Sequence, residues 1–143
     1  MDFGVVFAKT CSMLFFNLIL SLMLWVNLPE NSAVPKDTID PIILAIDSGS
    51  SSDLARYLDA SISLNINGQK GDFSKSQAEL VLKDFFKKNP PLNFSLVFRS
   101  ENNPSLSSYI GDYQSGQGVY KVFIKINQQD SQPKVYSLGF VKV

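Results

Sequence analysis

The side chains of this chain that could do chemistry are few, because its 143 residues include no histidine and a single cysteine. A Ser-His-Asp triad and a histidine metal site are therefore excluded. No glycine-rich phosphate loop follows a strand pattern either. What remains is carboxylate and phenol chemistry, in which a carboxylate removes a proton while a phenol donates a hydrogen bond to the oxyanion that forms.

Asp112 is the carboxylate that best fits this chemistry, since it lies between Tyr109 and Tyr113 in the sequence. Tyr57 and Asp59 form a second pair of this kind. The surrounding pattern predicts a strand, and successive strand residues point to opposite faces of a sheet. Asp112 should then point away from both of its tyrosines. A catalytic Asp–Tyr site would need a bulge, whereas aromatic packing beside a solvated carboxylate needs none.

Four tyrosines on predicted strands have two alternative roles. A phenol offers apolar area with one polar group, so these residues are candidates to line a ligand-binding hollow. They are equally suited to packing the sheet against the rest of the core. The four candidates are Tyr109, Tyr113, Tyr120 and Tyr136.

The helix predicted to cover this sheet has sequence signals for both its start and its end. Ser74 and Gln77 form a capping box before an apolar stripe at helical spacing over residues 75–88. Ser76 with Glu79 offers the same pairing two residues later. Two lysines complement the helix dipole at the C-terminal end, and the Pro-Pro pair that follows prevents continuation.

Shorter elements precede this helix. Asp40 and Pro41 predict an N-cap and a first helical position, and that helix should stop at Gly49. A second short helix is predicted after the serine run 50–52. Residues 61–68 then alternate with period two, which is typical of a strand, and 68–72 carry turn chemistry.

Consecutive strands follow the long helix. Residues 94–98, 107–113, 119–127 and 134–143 alternate as strands, and the small residues 115–118 predict a hairpin turn. This order predicts an α+β fold with a curved, mostly antiparallel sheet of four to six strands. The sheet should wrap around the one long helix as a cone, with two short N-terminal helices and a hollow between helix and sheet.

The N-terminal segment has the pattern of a secretory signal peptide. Residues 10–29 carry no charge, 13–26 are almost wholly apolar, Lys9 precedes them and small polar residues follow. We therefore predict a signal peptide over 1–33, with an uncleaved membrane anchor as the alternative. Cleavage would remove the only cysteine, and with it thiol catalysis and disulfide support.

The remainder divides into a linker over 34–39 and one domain over 40–143. Without residues 1–33 the chain keeps 12 basic and 11 acidic residues, a net charge of +1. With so balanced a charge and no basic block, we expect no nucleic-acid partner.

Short motifs follow one another in a fixed order along this domain. They are GDFSKSQA at 71–78, FF at 85–86, NPP at 89–91, YIGDY at 109–113 and YKVF at 120–123. In this order they resemble an uncharacterised family of exported proteins from Gram-negative bacteria, a domain of unknown function. The resemblance implies a nuclear transport factor 2-like, or cystatin-like, cone.

That superfold includes isomerase-like and dehydratase-like enzymes as well as non-catalytic binding domains, so fold alone does not decide function. Because catalytic side chains are scarce, we predict a non-catalytic binding or interaction domain, exported to the periplasm or cell envelope. The alternative is a small isomerase- or dehydratase-like enzyme that uses a pocket Asp with a Tyr. We expect no cofactor or metal. The expected partner is a small hydrophobic ligand or an envelope protein, with homodimerisation through the sheet, and membrane contact only through an uncleaved N-terminal segment.

Overall fold

The computed structural model describes residues 39–103, 105–130 and 132–143, which follow the predicted α+β order. The predicted signal peptide over 1–33 lies outside the described residues, as does the predicted linker up to residue 38. Three helices and six strands follow one another along the described chain. They are α1 (Asp40–Asp47), α2 (Ser51–Ala55), β1 (Leu58–Ile66), β2 (Gln69–Ser74), α3 (Lys75–Lys88), β3 (Pro91–Asn103), β4 (Leu106–Ser115), β5 (Gly118–Asp130) and β6 (Gln132–Lys142).

The six strands form one curved sheet in the order β2-β1-β6-β5-β4-β3. All neighbouring strands are antiparallel except β1 and β6, which are parallel. The β1–β2 hairpin therefore forms one edge, α3 connects it to the far edge, and the β3–β6 meander returns until β6 lies beside β1. This topology confirms the predicted cone around one long helix. No helix in the described part of the chain is long and apolar enough to cross a membrane.

The start of α3 confirms the capping box. The Ser74 hydroxyl accepts a hydrogen bond from the Gln77 backbone N–H at 3.3 Å, and the Gln77 side-chain oxygen accepts one from the Ser74 N–H at 3.2 Å. Two of the N–H groups that lack partners at a helix start are satisfied in this way. The alternative start two residues later is not used.

The two short helices lie close to their predicted positions, and their starts are shifted by one residue in α1 and by two residues in α2. Ile39 is the N-cap of α1, so Asp40 is already helical, and its carboxylate complements the helix dipole. Helix α2 begins inside the serine run, because the Ser50 hydroxyl accepts a hydrogen bond from the Asp53 N–H at 3.3 Å. Gly49 separates the helices with a left-handed φ of 66°.

The turn predicted over 68–72 is wrong. The turn consists of Asn67 and Gly68 alone, with φ values of 52° and 88°, and residues 69–74 form β2. Two successive left-handed residues make the hairpin turn whose twist matches that of its strands, and Asn-Gly is the dipeptide that favours it. The sequence therefore contained the signal for a sixth strand.

The core lies between α3, the two short helices and the concave face of the sheet. It confirms the predicted alternation, because Ile62 and Leu64 of β1 and the even-numbered residues 120–126 of β5 are buried. Helix α3 contributes one apolar face of four side chains, Ala78, Leu82, Phe85 and Phe86.

Candidate functional site

An aromatic cluster joins the C-terminal half of α3 to the sheet. Phe85 is its centre, with ring-centroid distances of 4.5 Å to Phe140, 5.3 Å to Tyr120 and 5.8 Å to Tyr113. Phe86 is 5.8 Å from Phe85 in an edge-to-face arrangement. Several of these pairs are tilted or perpendicular, a geometry that aromatic quadrupoles favour. We call Phe85, Phe86, Tyr113, Tyr120 and Phe140 the aromatic cluster.

Both tyrosines of the cluster use their hydroxyls to hold the residue after α3. The Tyr113 hydroxyl donates to the Asn89 carbonyl oxygen at 2.5 Å, and the Tyr120 hydroxyl donates to the Asn89 side-chain oxygen at 2.8 Å. The Asn89 N–H donates to the Phe85 carbonyl oxygen at 2.8 Å, so the helix end is satisfied as well. Burial raises the pKa of the Tyr113 phenol, and the neighbouring Tyr120 raises it further.

The other two candidate tyrosines lie elsewhere. Tyr109 is buried farther along β4, and its hydroxyl donates to the Glu101 carboxylate at 2.7 Å. Tyr136 is partly exposed and is the extra residue of a bulge, because Lys125 faces Ser137 while Ile126 faces Val135. The structure thus brings two of the four candidates together, Tyr113 and Tyr120.

Asp112 lies on the opposite face of the sheet from Tyr109 and Tyr113, as the strand pattern predicts. Its carboxylate forms an ion pair with the Lys121 ammonium group, on the neighbouring strand. Among the carboxylates whose side chains are described, none is buried. Within the described residues, no group of three His, Cys, Asp or Glu side chains could hold a metal ion.

A groove of about 560 Å³ opens between α3 and the β1–β2 hairpin, next to the aromatic cluster. We call it the hairpin groove. Its apolar side chains are Leu64, Ile66, Phe73, Val81 and Phe85. Its polar side chains are Asn67, Gln69, Lys70, Asp84, Lys88 and Asn89.

The hairpin groove differs from the predicted hollow in its lining. None of the four candidate tyrosines lines it, because the rings of Tyr113 and Tyr120 lie in the core behind Phe85 and Asn89. Phe85, which belongs to the aromatic cluster, and Asn89, which both cluster tyrosines bind, therefore also line the groove. The groove exists because residues 69–74 form the strand β2, which the sequence analysis did not predict. The Asn67-Gly68 turn is the sequence signal that could have indicated this strand.

Asn89 is the site residue that sequence reasoning missed. Its place before two prolines marks it as the end of a helix, where its role in capping is expected. Nothing in the sequence indicates that hydroxyls 24 and 31 residues away bind it.

The match to a known protein family covers nearly the same residues as the domain predicted over 40–143. The profile of the domain of unknown function DUF4783 matches residues 39–140. The chain belongs to this family. The family resemblance drawn from the motifs is thereby confirmed. No curated protein matches the chain.

Solved structures of DUF4783 proteins share its fold. A family protein from Bacteroides ovatus is 22% identical, with 73% of this chain and 94% of that chain covered and a TM-score of 0.70. One from Bacteroides uniformis is 20% identical, with 77% and 97% covered and a TM-score of 0.70. An NTF-2 like protein of unknown function from Silicibacter pomeroyi is 11% identical, with 74% and 90% covered and a TM-score of 0.56.

The two Bacteroides proteins consist almost wholly of the matched domain. The described residues of this chain, from 39 onward, likewise belong to one compact unit. We therefore expect the DUF4783 domain of this chain to fold without the residues that precede it.

Proposed function

We propose that this DUF4783 protein is a non-catalytic, exported binding domain that takes a small ligand with an apolar body in the hairpin groove. The observation that supports this most directly is the groove itself, whose volume of about 560 Å³ lies within the roughly 300–1,000 Å³ of small-molecule sites. The rest of the concave face is occupied by the aromatic cluster and the packed core. Within the described residues, the groove is therefore an open space on this face that can accommodate a ligand.

The lining of the groove matches an amphipathic ligand. Apolar side chains from β1, β2 and α3 form its floor, where the body of the ligand would displace water. Polar side chains surround this floor, as in binding sites where a few polar groups orient an otherwise apolar ligand.

The rim favours an anionic head group. Lys88 forms an ion pair with Asp84 at 2.9 Å, whereas Lys70 has no ion-pair partner among the described residues. An ammonium group beside an apolar floor attracts a carboxylate or a similar head group. We therefore expect a fatty-acid-like anion to bind better than the neutral molecule of the same length.

Binding can be measured by titrating dodecanoate and dodecanol into ¹⁵N-labelled residues 37–143 and following amide chemical shifts. We expect shifts confined to β1, β2 and the C-terminal half of α3. Val81→Glu should abolish them, because it places a charge on the apolar floor. Leu80→Glu is the matched control, since Leu80 lies next to it on α3 but is 66% exposed and outside the groove.

The head group is tested separately. Lys70→Gln should weaken dodecanoate roughly two- to five-fold, the range of one exposed charge pair, and leave dodecanol unchanged. Absence of binding at millimolar concentration, or equal losses in the Val81 and Leu80 variants, would contradict the groove as the site.

Export is the second part of the proposal. It is supported by the uncharged, apolar sequence over 10–29 followed by small polar residues. Intact-mass measurement of the protein recovered from the periplasmic fraction tests it. Loss of about 33 residues is expected, since cleavage at the small polar residues that follow the apolar stretch would remove residues 1–33. A full-length chain in the membrane fraction would favour the anchor instead.

A further inference from the structure

The outer face of the sheet, opposite α3, changes from apolar to polar along one line across the strands. Phe98 of β3 faces Ile110 of β4, and Ile110 faces Phe123 of β5. We call Phe98, Ile110 and Phe123 the outer row. The same line then continues through residues of a different kind, which are Gly139 of β6, Asn65 of β1 and Lys70 of β2.

A depression lies where the outer row ends, because Gly139 has no side chain beside the Phe123 ring. It has a volume of about 280 Å³, and the Phe123 ring, which is 42% exposed, forms its apolar wall. The Leu138 side chain is buried on the inner face, so this residue contributes backbone to the floor. We call this space the outer depression. Its polar lining consists of Ser63, Asn65, Lys70, Lys125 and Ser137.

This polar lining is rich in hydrogen-bond donors. The Asn65 side-chain oxygen already accepts a hydrogen bond from the Gly68 N–H at 2.8 Å, so the Asn65 amide group has its NH₂ left for a ligand. The Ser63 and Ser137 hydroxyls can donate as well as accept, and the two ammonium groups can only donate. No carboxylate is found among the described residues of the lining. Asp72 faces Ser63 from β2 but lies outside the depression. The lining is therefore complementary to a ligand rich in acceptor oxygens.

Two ammonium groups border the outer depression from opposite sides. Lys70 lies on β2 and Lys125 on β5, and these strands are three spacings apart in the sheet, roughly 14 Å. In the described part of the chain neither lysine has an ion-pair partner, whereas Lys121 on the same face of β5 is paired with Asp112. The depression therefore holds two positive charges that no side chain neutralises, and it should attract an anion.

We infer that the outer depression binds a sugar acid, which is a hydroxylated six-membered ring that carries a carboxylate. The carboxylate accepts charge-assisted hydrogen bonds from Lys70 and Lys125. The ring hydroxyls bond to the Asn65 amide and to the two serine hydroxyls. The C–H groups on one side of the sugar ring cover the exposed part of Phe123 and displace water from it. Each side chain of the lining then has a counterpart on the ligand.

Other anions match only part of this lining. A sulfate ion leaves the Phe123 ring uncovered, and benzoate offers nothing to the serine hydroxyls. A long alkyl chain does not fit, since about 280 Å³ lies just below the roughly 300–1,000 Å³ of drug-sized sites. The hairpin groove has twice this volume and an apolar floor, and Lys70 is the one described residue that lines both spaces. The two spaces therefore favour different ligands.

Titration of glucuronate into the ¹⁵N-labelled protein tests the inference, with the same preparation as for the hairpin groove. We expect amide shifts at residues 123–125 and 137–139 and a Kd in the millimolar range, because the contacts are exposed to water. Three matched ligands each lack one feature: glucose has no charge, benzoate has no hydroxyls and sulfate has no ring. Each should bind at least about three-fold more weakly than glucuronate, the range of one exposed polar or charged contact.

The charge is tested by Lys125→Gln, which should raise the Kd for glucuronate roughly two- to five-fold. Lys121→Gln is the matched control, since it removes the same charge from the same face of β5 but lies outside the depression. Its Kd should equal that of the unmodified protein. Both effects should shrink as salt is added, because salt screens exposed charges.

The shape is tested by Gly139→Ala, which the folded protein tolerates. A Cβ at position 139 would lie 3.5 Å from Asn65 Cβ and 3.9 Å from the Phe123 ring, both ordinary contacts. Since the added methyl group occupies the floor on which the sugar ring lies, we expect a roughly three-fold or larger rise in the Kd for glucuronate. Gly116→Ala is the matched control, because nothing lies within 4 Å of its added Cβ and it lies outside the depression.

The two ligand sites can fail independently. Val81→Glu should leave glucuronate binding unchanged, and Gly139→Ala should leave dodecanoate binding unchanged. Lys70 lines both spaces and is therefore not used to separate them. Three outcomes would overturn the inference about the outer depression. They are an absence of shifts at tens of millimolar glucuronate, equal binding of any of the three matched ligands, and equal losses in Lys125→Gln and Lys121→Gln.

Discussion

The two faces of the sheet use the same strands for different purposes. On the inner face, Tyr113 and Tyr120 are buried, and both hydroxyls are bound to Asn89. On the outer face, one residue away along each strand, Asp112 and Lys121 are partly exposed and pair with each other. The side chains of the inner face pack against α3 and bind its C-terminal end. The outer face leaves polar and apolar side chains partly exposed.

This difference shows how a residue type changes role with its surroundings. A tyrosine beside an open cavity is available to a ligand, but a tyrosine whose ring is packed and whose hydroxyl is satisfied is part of the scaffold. The binding proposal therefore rests on the hairpin groove rather than on the tyrosines.

Phe85→Ala should have the largest effect on stability. It removes the central ring of the aromatic cluster and leaves a cavity between α3 and the sheet, at a cost of about 3–5 kcal/mol of unfolding free energy. Leu80→Ala on the exposed side of the same helix should change it by less than about 0.5 kcal/mol. Urea unfolding measures both, and equal effects would mean that the inner face does not hold α3.

Gly111→Ala tests how closely the inner face is packed. A Cβ at this position would clash with the Phe94 ring and lie 2.9 Å from the Ser95 carbonyl oxygen. Overpacking of this kind costs about 1–3 kcal/mol. Gly116→Ala is the matched control, because nothing lies within 4 Å of its added Cβ. The two variants can be compared by thermal unfolding, and a stable Gly111→Ala protein would show a looser core.

Asn89→Ala tests the contribution of the tyrosine hydroxyl bonds to stability, because it removes the side-chain acceptor at position 89 and leaves the aromatic rings in place. The buried Tyr120 hydroxyl would lose its acceptor, which costs about 1–3 kcal/mol. In the double variant with Tyr120→Phe the loss should be smaller than the sum of the single losses. Asn93→Ala, at an exposed position on β3, should be close to neutral. If the stability losses of the two single variants simply add in the double variant, the Asn89–Tyr120 hydrogen bond does not contribute to stability.

The raised pKa of Tyr113 predicts a loss of stability at alkaline pH. The phenol is held neutral in the folded protein, whereas in the unfolded chain it ionises near pH 10. The contribution of this phenol to the free energy of unfolding is therefore complete below about pH 10 and is lost as the pH rises above that value. Tyr113→Phe should unfold with a weaker dependence on pH above 10, as measured by denaturant midpoints. An unchanged dependence would mean that another group is responsible.

The smallest effect is expected on the outer face. Asp112→Asn should change the stability of the monomer by less than about 1 kcal/mol, because the ion pair with Lys121 is partly exposed and screened by salt. A loss as large as that of Asn89→Ala would show that the two faces are not as different as proposed.

Local patterns predicted most elements because their causes lie within a few residues. The capping box needs only Ser74 and Gln77, and period-two alternation along β5 is enough to assign Lys121 and Val122 to opposite faces. The same reasoning placed Asp112 away from its neighbouring tyrosines. The extent of the turn after β1 was mispredicted because its glycine and polar residues were read as one loop, although Asn67 and Gly68 alone complete it.

The candidate site was less predictable because its residues are distant in sequence. Asn89 meets Tyr113 and Tyr120 only when α3 is packed across the sheet. The hairpin groove exists because β2 folds back on β1 beside α3. On the outer face of the sheet, the register of four strands aligns Phe98, Ile110, Phe123 and Gly139.

The sequence by itself determined where the three helices lie, which faces of β1, β4 and β5 are buried and, through its motifs, the family. These depend on backbone capping and on alternation, which act over a few residues. Only the tertiary structure decided that the tyrosine hydroxyls hold a helix end, and that a groove and an apolar outer row remain open. Those outcomes depend on which buried polar groups find partners and where packing leaves space, and both are set by contacts between distant parts of the chain.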